Sequence, residues 1–203
     1  MYNPKHFAQT DPVPMRQLIR DFPLATLVSR DDTGLVANHI PFEVDDDVAI
    51  LRGHVARANP VWQTTDADGE VLAIFRGADA YISPSWYATK QDGGRVVPTW
   101  NYCAVHLYGT VRFLEDATWL RGQIDRLTAQ QEHGRREPWR VTDAPAEYIE
   151  AMLRAIVGVE IEVKRRSAKW KLSQNRSEPD REGVIRGLRE AGANAAAEAI
   201  RRG

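Results

Sequence analysis

Four stretches of this chain gather residue types that could hold a phosphate or a flat heteroaromatic ring. In "LRGHVARANPVW", residues 51–62, a strand-like run reaches Gly53, and His54, Arg57 and Asn59 cluster where a helix begins. Free N–H groups at a helix start and a guanidinium fork both suit phosphate oxygens; equally, Arg57 could lie in solvent while His54 only pins the turn. In "PSWYATK" and "PTWNYCAVH", Trp86, Tyr87, Trp100 and Tyr102 fall on or beside loops. Such rings stack on planar ligands or plug the ends of a barrel. In "KWKLSQNR", residues 169–176, two lysines, Ser173, Gln174, Asn175 and Arg176 crowd together. That density of donors resembles a reader of phosphate or of a heteroaromatic edge.

Other chemistries lack support. The chain has no GxGxxG, Walker A, HExxH, GxSxG or CxxC pattern, so the nucleotide, zinc-protease and hydrolase templates do not apply. The single cysteine, Cys103, can neither staple the fold internally nor pair in a thiolate metal site. His39, His54 and His106 could ligate iron, although histidines beside strands usually serve as hydrogen-bonded structure, and no metal site is expected. No acid or base is committed to a substrate, although Tyr87, His106 and Tyr108 are available.

The elements that would position these groups follow from periodicity. "TDPVPMRQLIRDFP" places Met15, Leu18, Ile19 and Phe22 at helical spacing behind a Thr10 or Asp11 cap. Three β-rich runs follow, "LATLVSR", "LVANHIPFEV" and "VAILRGHV", separated by the turns "DDTG" and "DDD". Turns this tight imply an antiparallel meander. "ARANPVWQTT" reads as a short helix with Val61 and Trp62 inward, and "DADG" turns into the buried strand "EVLAIFRG". The long Gly- and Pro-punctuated connection "YISPSWYATKQDGGRVVPTW" has the length of a binding loop. In the strand after it, Val105, Leu107, Gly109, Val111 and Phe113 share one face, and Tyr102, His106, Tyr108 and Arg112 share the other. Helices over "DATWLRGQIDRLTAQQE", capped by Asp116, and "APAEYIEAMLRAI" lead to a last strand, "VGVEIEV". The terminal "REGVIRGLREAGANAAAEAIRR" is helix-prone with little apolar area. Six or so antiparallel strands with outer helices suit a Greek-key or split barrel better than a βαβ sheet.

A chain of 203 residues, 43% hydrophobic, can bury one sizeable core. Its apolar runs fall far short of the ~20 residues of a spanning helix, and "MYNPKHFAQTDP" lacks a signal-peptide pattern. A cytoplasmic protein without membrane contact is expected. The net charge of −1 conceals an asymmetry, because residues 164–203 carry 11 basic and 5 acidic side chains. A basic tail fits a solvated surface, an acidic neighbour or a nucleic-acid partner.

Taken together, "YNPKHF", "ANHIPF", "LRGHVARANPVW", "DAYISPSWY", "VPTWNYCAVHLYGTVRF", "AEYIEAMLRAIVGVEIEV" and "KWKLSQNR" resemble the PaiB-type family of FMN-binding negative transcriptional regulators, in order from about residue 1 to residue 190. The resemblance implies a mainly β fold with helices, the FMN-binding split barrel of the pyridoxamine-phosphate-oxidase class. It implies such a domain over residues 1–175 with peripheral helices, followed by a basic helical tail over 176–203. It further implies a homodimer with FMN in a cleft shared by two subunits. By position, His54, Arg57 and Asn59 would hold the flavin phosphate. Thr99, Trp100 and Asn101 would lie near the isoalloxazine, and Lys171, Ser173, Gln174 and Asn175 would close the pocket. Three functional classes follow: a flavin-binding regulator reading DNA through its dimer surface or basic tail, an FMN-dependent oxidoreductase or flavin reductase, and a haem-binding or haem-handling protein. "REGVIRGLREAG" is a single helix without the partner that a helix-turn-helix requires.

Overall fold

The computed structural model describes residues 1–66, 69–91 and 93–202. Asp11 starts the first helix, α1 (Pro12–Asp21): its carboxylate accepts from the Val13 N–H at 2.9 Å, and proline occupies the first turn. Met15, Leu18 and Ile19 are buried. Phe22, expected on the same face, instead ends the helix and is exposed, because Pro23 disfavours helical geometry at the residue before it.

The strands are β1 (Ala8–Gln9), β2 (Leu24–Asp31), β3 (Gly34–Pro41), β4 (Glu43–Val44), β5 (Ile50–Ala56), β6 (Glu70–Ile82), β7 (Thr99–Leu114) and β8 (Ile156–Lys171). The remaining helices are α2 (Val61–Thr64), α3 (Ala117–Glu132), α4 (Ala146–Arg154), α5 (Glu178–Glu190) and α6 (Asn194–Arg202). The strands form one sheet in the order β3-β2-β6-β7-β8-β5-β4, with β1 on β8. β2 and β3 pair antiparallel from Leu24↔Pro41 to Asp31↔Gly34. The "DDTG" turn closes this hairpin: Asp31 Oδ1 accepts from Thr33 N and Oγ1 at 2.8 and 2.7 Å, and Gly34 takes a φ of 125°. β5 runs antiparallel to β8 from Ile50↔Glu162 to Ala56↔Ile156. The "DADG" turn falls partly on residues 67 and 68, outside the described residues, as does position 92 of the long connection.

The last strand, expected over 157–163, continues to Lys171. Its charged stretch Lys164–Arg166 stays in sheet geometry with exposed side chains, and farther on Lys169 pairs with Ala8. Backbone pairing overrides the charge run that reads as a strand exit.

Contacts divide the chain into two compact units. The first contains residues 1–10, 76–105 and 167–203, and the second contains 11–75 and 106–166; β6, β7 and β8 each have residues in both. The second unit buries Leu27, Ile40, Phe42, Leu51, Phe75, Leu107 and Ile161, and Phe42 meets Phe75 edge-on at 6.4 Å. Asp116 caps α3 through the Trp119 N–H. Trp119 lies against Gly158, where an added Cβ would come within 2.4 Å of its ring. A smaller apolar cluster of Leu120, Val141, Ile149 and Leu153 joins α3 to α4. In the first unit, α5 and α6 bury Val184, Leu188, Ala197 and Ile200. Among the described residues no helix is long and apolar enough to cross a membrane.

Candidate functional site

In the first unit, the start of β7 and the end of β8 bring several of the singled-out residues into contact. Lys171 donates to Thr99 Oγ1. Two residues along each segment, Asn101 Nδ2 donates to Ser173 Oγ at 2.9 Å. Asn101 is 2% exposed, yet its Oδ1 is buried without a hydrogen-bond partner among the described residues. A buried polar atom left alone carries a desolvation cost of ~1–3 kcal/mol. Ser173, also buried, sits at a φ of 60°, in the left-handed region that L residues other than asparagine and aspartate rarely adopt. Strain of this kind clusters at ligand sites. Gln174 builds the turn, its Oε1 accepting from Leu172 N at 2.7 Å and its Nε2 donating to Trp170 O at 2.6 Å. Asn175 is exposed. Trp100 is 54% exposed and touches Tyr81 edge-on at 6.0 Å.

The loop carrying "PSWYATK" is fastened to the C-terminal helices. Thr89 donates to buried Asp180 through its backbone N at 2.9 Å and through Oγ1 at 3.1 and 2.9 Å. Burial pushes the Asp180 carboxyl up, but the Thr89 bonds, the Arg176 charge and Ser177 outweigh it and leave the carboxyl below its ordinary value. Trp86 packs on glycines of α5: a Cβ at Gly187 would lie 2.4 Å from its ring, and one at Gly183 would lie 2.0 Å from its carbonyl oxygen. Arg176 stacks over Tyr87 at 4.6 Å. Tyr87 is buried, and its hydroxyl has no partner among the described residues.

Basic side chains gather beside these groups. Lys169 is buried, donates to Tyr2 O at 3.1 Å, and lies 5.4–5.8 Å from the rings of Tyr2, Phe7 and Tyr102. Burial lowers the proton affinity of Lys171, Tyr102 opposes it as the next-largest effect, and the Lys169 and Arg176 charges lower it further.

In the second unit, His54, Arg57 and Asn59 each have other partners. His54 Nδ1 meets Gln123 Oε1 at 2.8 Å, tying β5 to α3, and Gln123 Nε2 is buried without a partner among the described residues. Arg57 donates from Nε to Arg154 O at 2.8 Å, from Nη2 to Ile156 O at 3.3 Å, and from Nη1 to Glu115. Asn59 donates to Asn38 Oδ1 at 2.8 Å and accepts from Val61 N at 3.0 Å. Val61 is buried as expected, while half-buried Trp62 donates to Arg57 O at 3.0 Å.

Of the other candidates, Cys103 is buried and its thiol is pushed up to about 12 by desolvation, an inert state. His39 Nδ1 lies 3.2 Å from Thr26 Oγ1. His106 Nδ1 is buried without a partner among the described residues, and burial lowers its proton affinity. Among the described residues no three His, Cys, Asp or Glu side chains converge as metal ligands. An open cleft of about 670 Å³ in the second unit is lined by Arg52, Asp116, Trp119, Arg126 and Glu160. Glu160 there accepts from Arg52 at 2.9 Å and from Arg112 at 2.8 Å. Sequence reading overlooked Asp180, Gly183 and Gly187; two glycines four apart on a helix were the available signal.

The family model described as "Putative FMN-binding domain" matches residues 1–165. The chain is 36% identical to the Bacillus subtilis "Protease synthase and sporulation protein PAI 2", over 93% of this chain and 89% of that one. It is 35% identical to "Uncharacterized protein AN0679" of Emericella nidulans, over 89% of this chain and 87% of that one. Among solved structures, the flavocytochrome Anf3 of Azotobacter vinelandii superposes with a TM-score of 0.58 at 16% identity, covering 81% of this chain and 69% of that one. The FAD and heme binding protein of Mycobacterium smegmatis superposes with a TM-score of 0.58 at 18% identity, covering 81% and 73%. At such identities the structural likeness speaks to the fold, a mostly antiparallel split barrel with helices.

Proposed function

The chain belongs to this FMN-binding family, and from that premise we propose that FMN lies against the wall made by Thr99, Trp100, Asn101, Lys171, Ser173, Gln174 and Asn175. The residues fit the group. An isoalloxazine edge carries both a donor and acceptors, and Asn101 Oδ1 is a buried acceptor without a donor. Lys171 and the half-exposed Trp100 add a cation and a stacking surface. The orphaned Asn101 oxygen is the observation that carries the reading. Bound flavin supplies one- and two-electron chemistry, and the residues named here bind and orient it.

His54, Arg57 and Asn59 we assign to the flavin phosphate. The two backbone bonds of Arg57 hold its guanidinium in place, while its contact with Glu115 is solvent-exposed and therefore weak enough to be exchanged for a phosphate. An absorption spectrum of the purified protein, with and without added FMN, tests the cofactor assignment. A flavin band that shifts and sharpens on mixing supports it; a haem band, or an unchanged FMN spectrum, contradicts it.

A homodimer is the finer proposal for assembly. Leu24, Val28, Leu35, Ala37, Leu72 and Ile74 share one face of β2, β3 and β6 by register, and Leu24 and Leu35 are 62% and 79% exposed. The same register puts Thr26, Arg30 and His39 among them, and a largely apolar sheet face with a few polar groups suits a two-fold interface. The finer proposal for function is transcriptional regulation, in the cytoplasm, with DNA met through the dimer surface or the basic residues of 164–203. A gel-shift titration with and without FMN decides it: retardation that responds to flavin supports the regulator, and none at low salt contradicts it.

A further inference from the structure

Ion pairs occur in both units, with Arg76–Asp79 and Arg202–Glu198 in the first. In the second, Arg16, Arg52, Arg57, Arg112, Arg126 and Arg165 each meet a carboxylate. In the first, Lys169, Lys171 and Arg176 have no carboxylate at ion-pairing distance among the described residues. Lys169 is buried among rings and bonded to a backbone carbonyl. Lys171 has only a neutral hydroxyl, and Arg176 lies over the face of Tyr87 and reaches Asp180 through its charge alone, without a salt bridge. Stacking leaves the in-plane N–H donors of a guanidinium unused, and those donors are the ones that grip a planar oxyanion. The nearby acid, Asp180, is occupied by Thr89. Lys171 and Arg176 are half-buried and feel each other's charge, and like charges this close favour a bound anion.

We infer that Lys171 and Arg176 form an oxyanion site, which takes a phosphate or carboxylate group of a ligand lying on the Asn101 wall. The turn joining the two residues fixes their spacing: Arg176 N donates to the carbonyl of Ser173 at 2.9 Å, and Ser173 in turn holds Asn101. The Tyr87 ring lies under Arg176, and Asn101 bonds Ser173, so both flank the turn that carries the site. The inference rests on the flavin reading for its location, and it leaves two sources for the anion: an acidic group on a separate ligand, or the phosphate of the flavin itself, which would then lie here in place of the Arg57 cluster.

The test uses the full chain freed of flavin, with Lys171→Met, Arg176→Gln and Arg176→Lys beside the wild type. Inorganic phosphate should raise the melting temperature of the wild type above that in chloride of equal ionic strength. Lys171→Met and Arg176→Gln should lose that gain, and Arg176→Lys should recover part of it. FMN and riboflavin titrations then separate the sources. A loss of about tenfold in FMN over riboflavin preference in Arg176→Gln identifies the flavin phosphate; an unchanged preference together with a lost phosphate response identifies a separate anionic ligand. A wild type that does not distinguish phosphate from chloride overturns the site, as does a full phosphate response in both Lys171→Met and Arg176→Gln. Absence of flavin binding with an intact phosphate response would remove the flavin reading alone.

Discussion

At the scale of single residues, Arg57 shows how one side chain can serve structure and ligand together. Its Nε and Nη2 bonds fasten the end of β5 to residues 154 and 156, so Arg57→Ala should lower stability by about 1 kcal/mol, since the two backbone acceptors are exposed or half-buried and water can replace the lost donor. The assignment to the flavin phosphate adds a second expectation: FMN affinity should fall while riboflavin affinity stays. Fluorescence titration of both flavins checks it, and equal losses would leave Arg57 a structural tie only. The "HVARAN" cluster was legible in the sequence as a set of polar groups at a strand end. Its intrachain partners were not, because Gln123, Asn38 and Glu115 lie 21 to 69 positions away. The contacts of Lys171 with Thr99 and of Asn101 with Ser173 span 72 positions, and the sequence presented them only as two unusual motifs. Their pairing needed the fold.

At the scale of elements, α5 is more than a tail. Its glycines at 183 and 187 admit Trp86, and its first turn carries the Asp180 that holds Thr89. Asp180→Asn should destabilise the protein by about 2 kcal/mol, the value of hydrogen bonds to a charged acceptor. The pH dependence has a definite sign. Because the folded carboxyl titrates below its unfolded value, its stabilisation is fully present above the ordinary range near pH 4 and is lost as pH falls through the lowered value. The melting difference between wild type and Asp180→Asn should therefore be constant at neutral pH and shrink in acid, which thermal melts from pH 7 to pH 3 would reveal. A difference independent of pH would remove the charged latch. Helix propensity made α5 readable, but its role was hidden, since apolar content is the usual guide to docking and this helix docks through two missing side chains. The extension of β8 was hidden for the converse reason: charges at 164–166 read as an exit, while the ladder kept the strand going.

At the scale of the whole molecule, the antiparallel meander and outer helices were legible because tight turns and alternating burial leave few topologies open. Two-sided apolarity in "LATLVSR" and "LVANHIP" is the trace of a face that a single chain leaves uncovered. Leu35→Glu places a charge on that face and should shift a dimeric wild type towards monomer in light scattering at micromolar concentration, with far-ultraviolet circular dichroism unchanged. A wild type already monomeric there would contradict the dimer. The account as a whole turns on one atom, the unpartnered Asn101 oxygen, and on its neighbour two positions along, the inert Cys103. The most direct measurement is therefore FMN affinity, with melting temperature alongside, for Asn101→Ala and Cys103→Ala. Asn101→Ala should remain folded and bind FMN more weakly by about 1 kcal/mol or somewhat more, with Cys103→Ala binding as the wild type does. Intact binding in Asn101→Ala, with loss in an equally folded Cys103→Ala, would mean that the flavin does not lie on this wall.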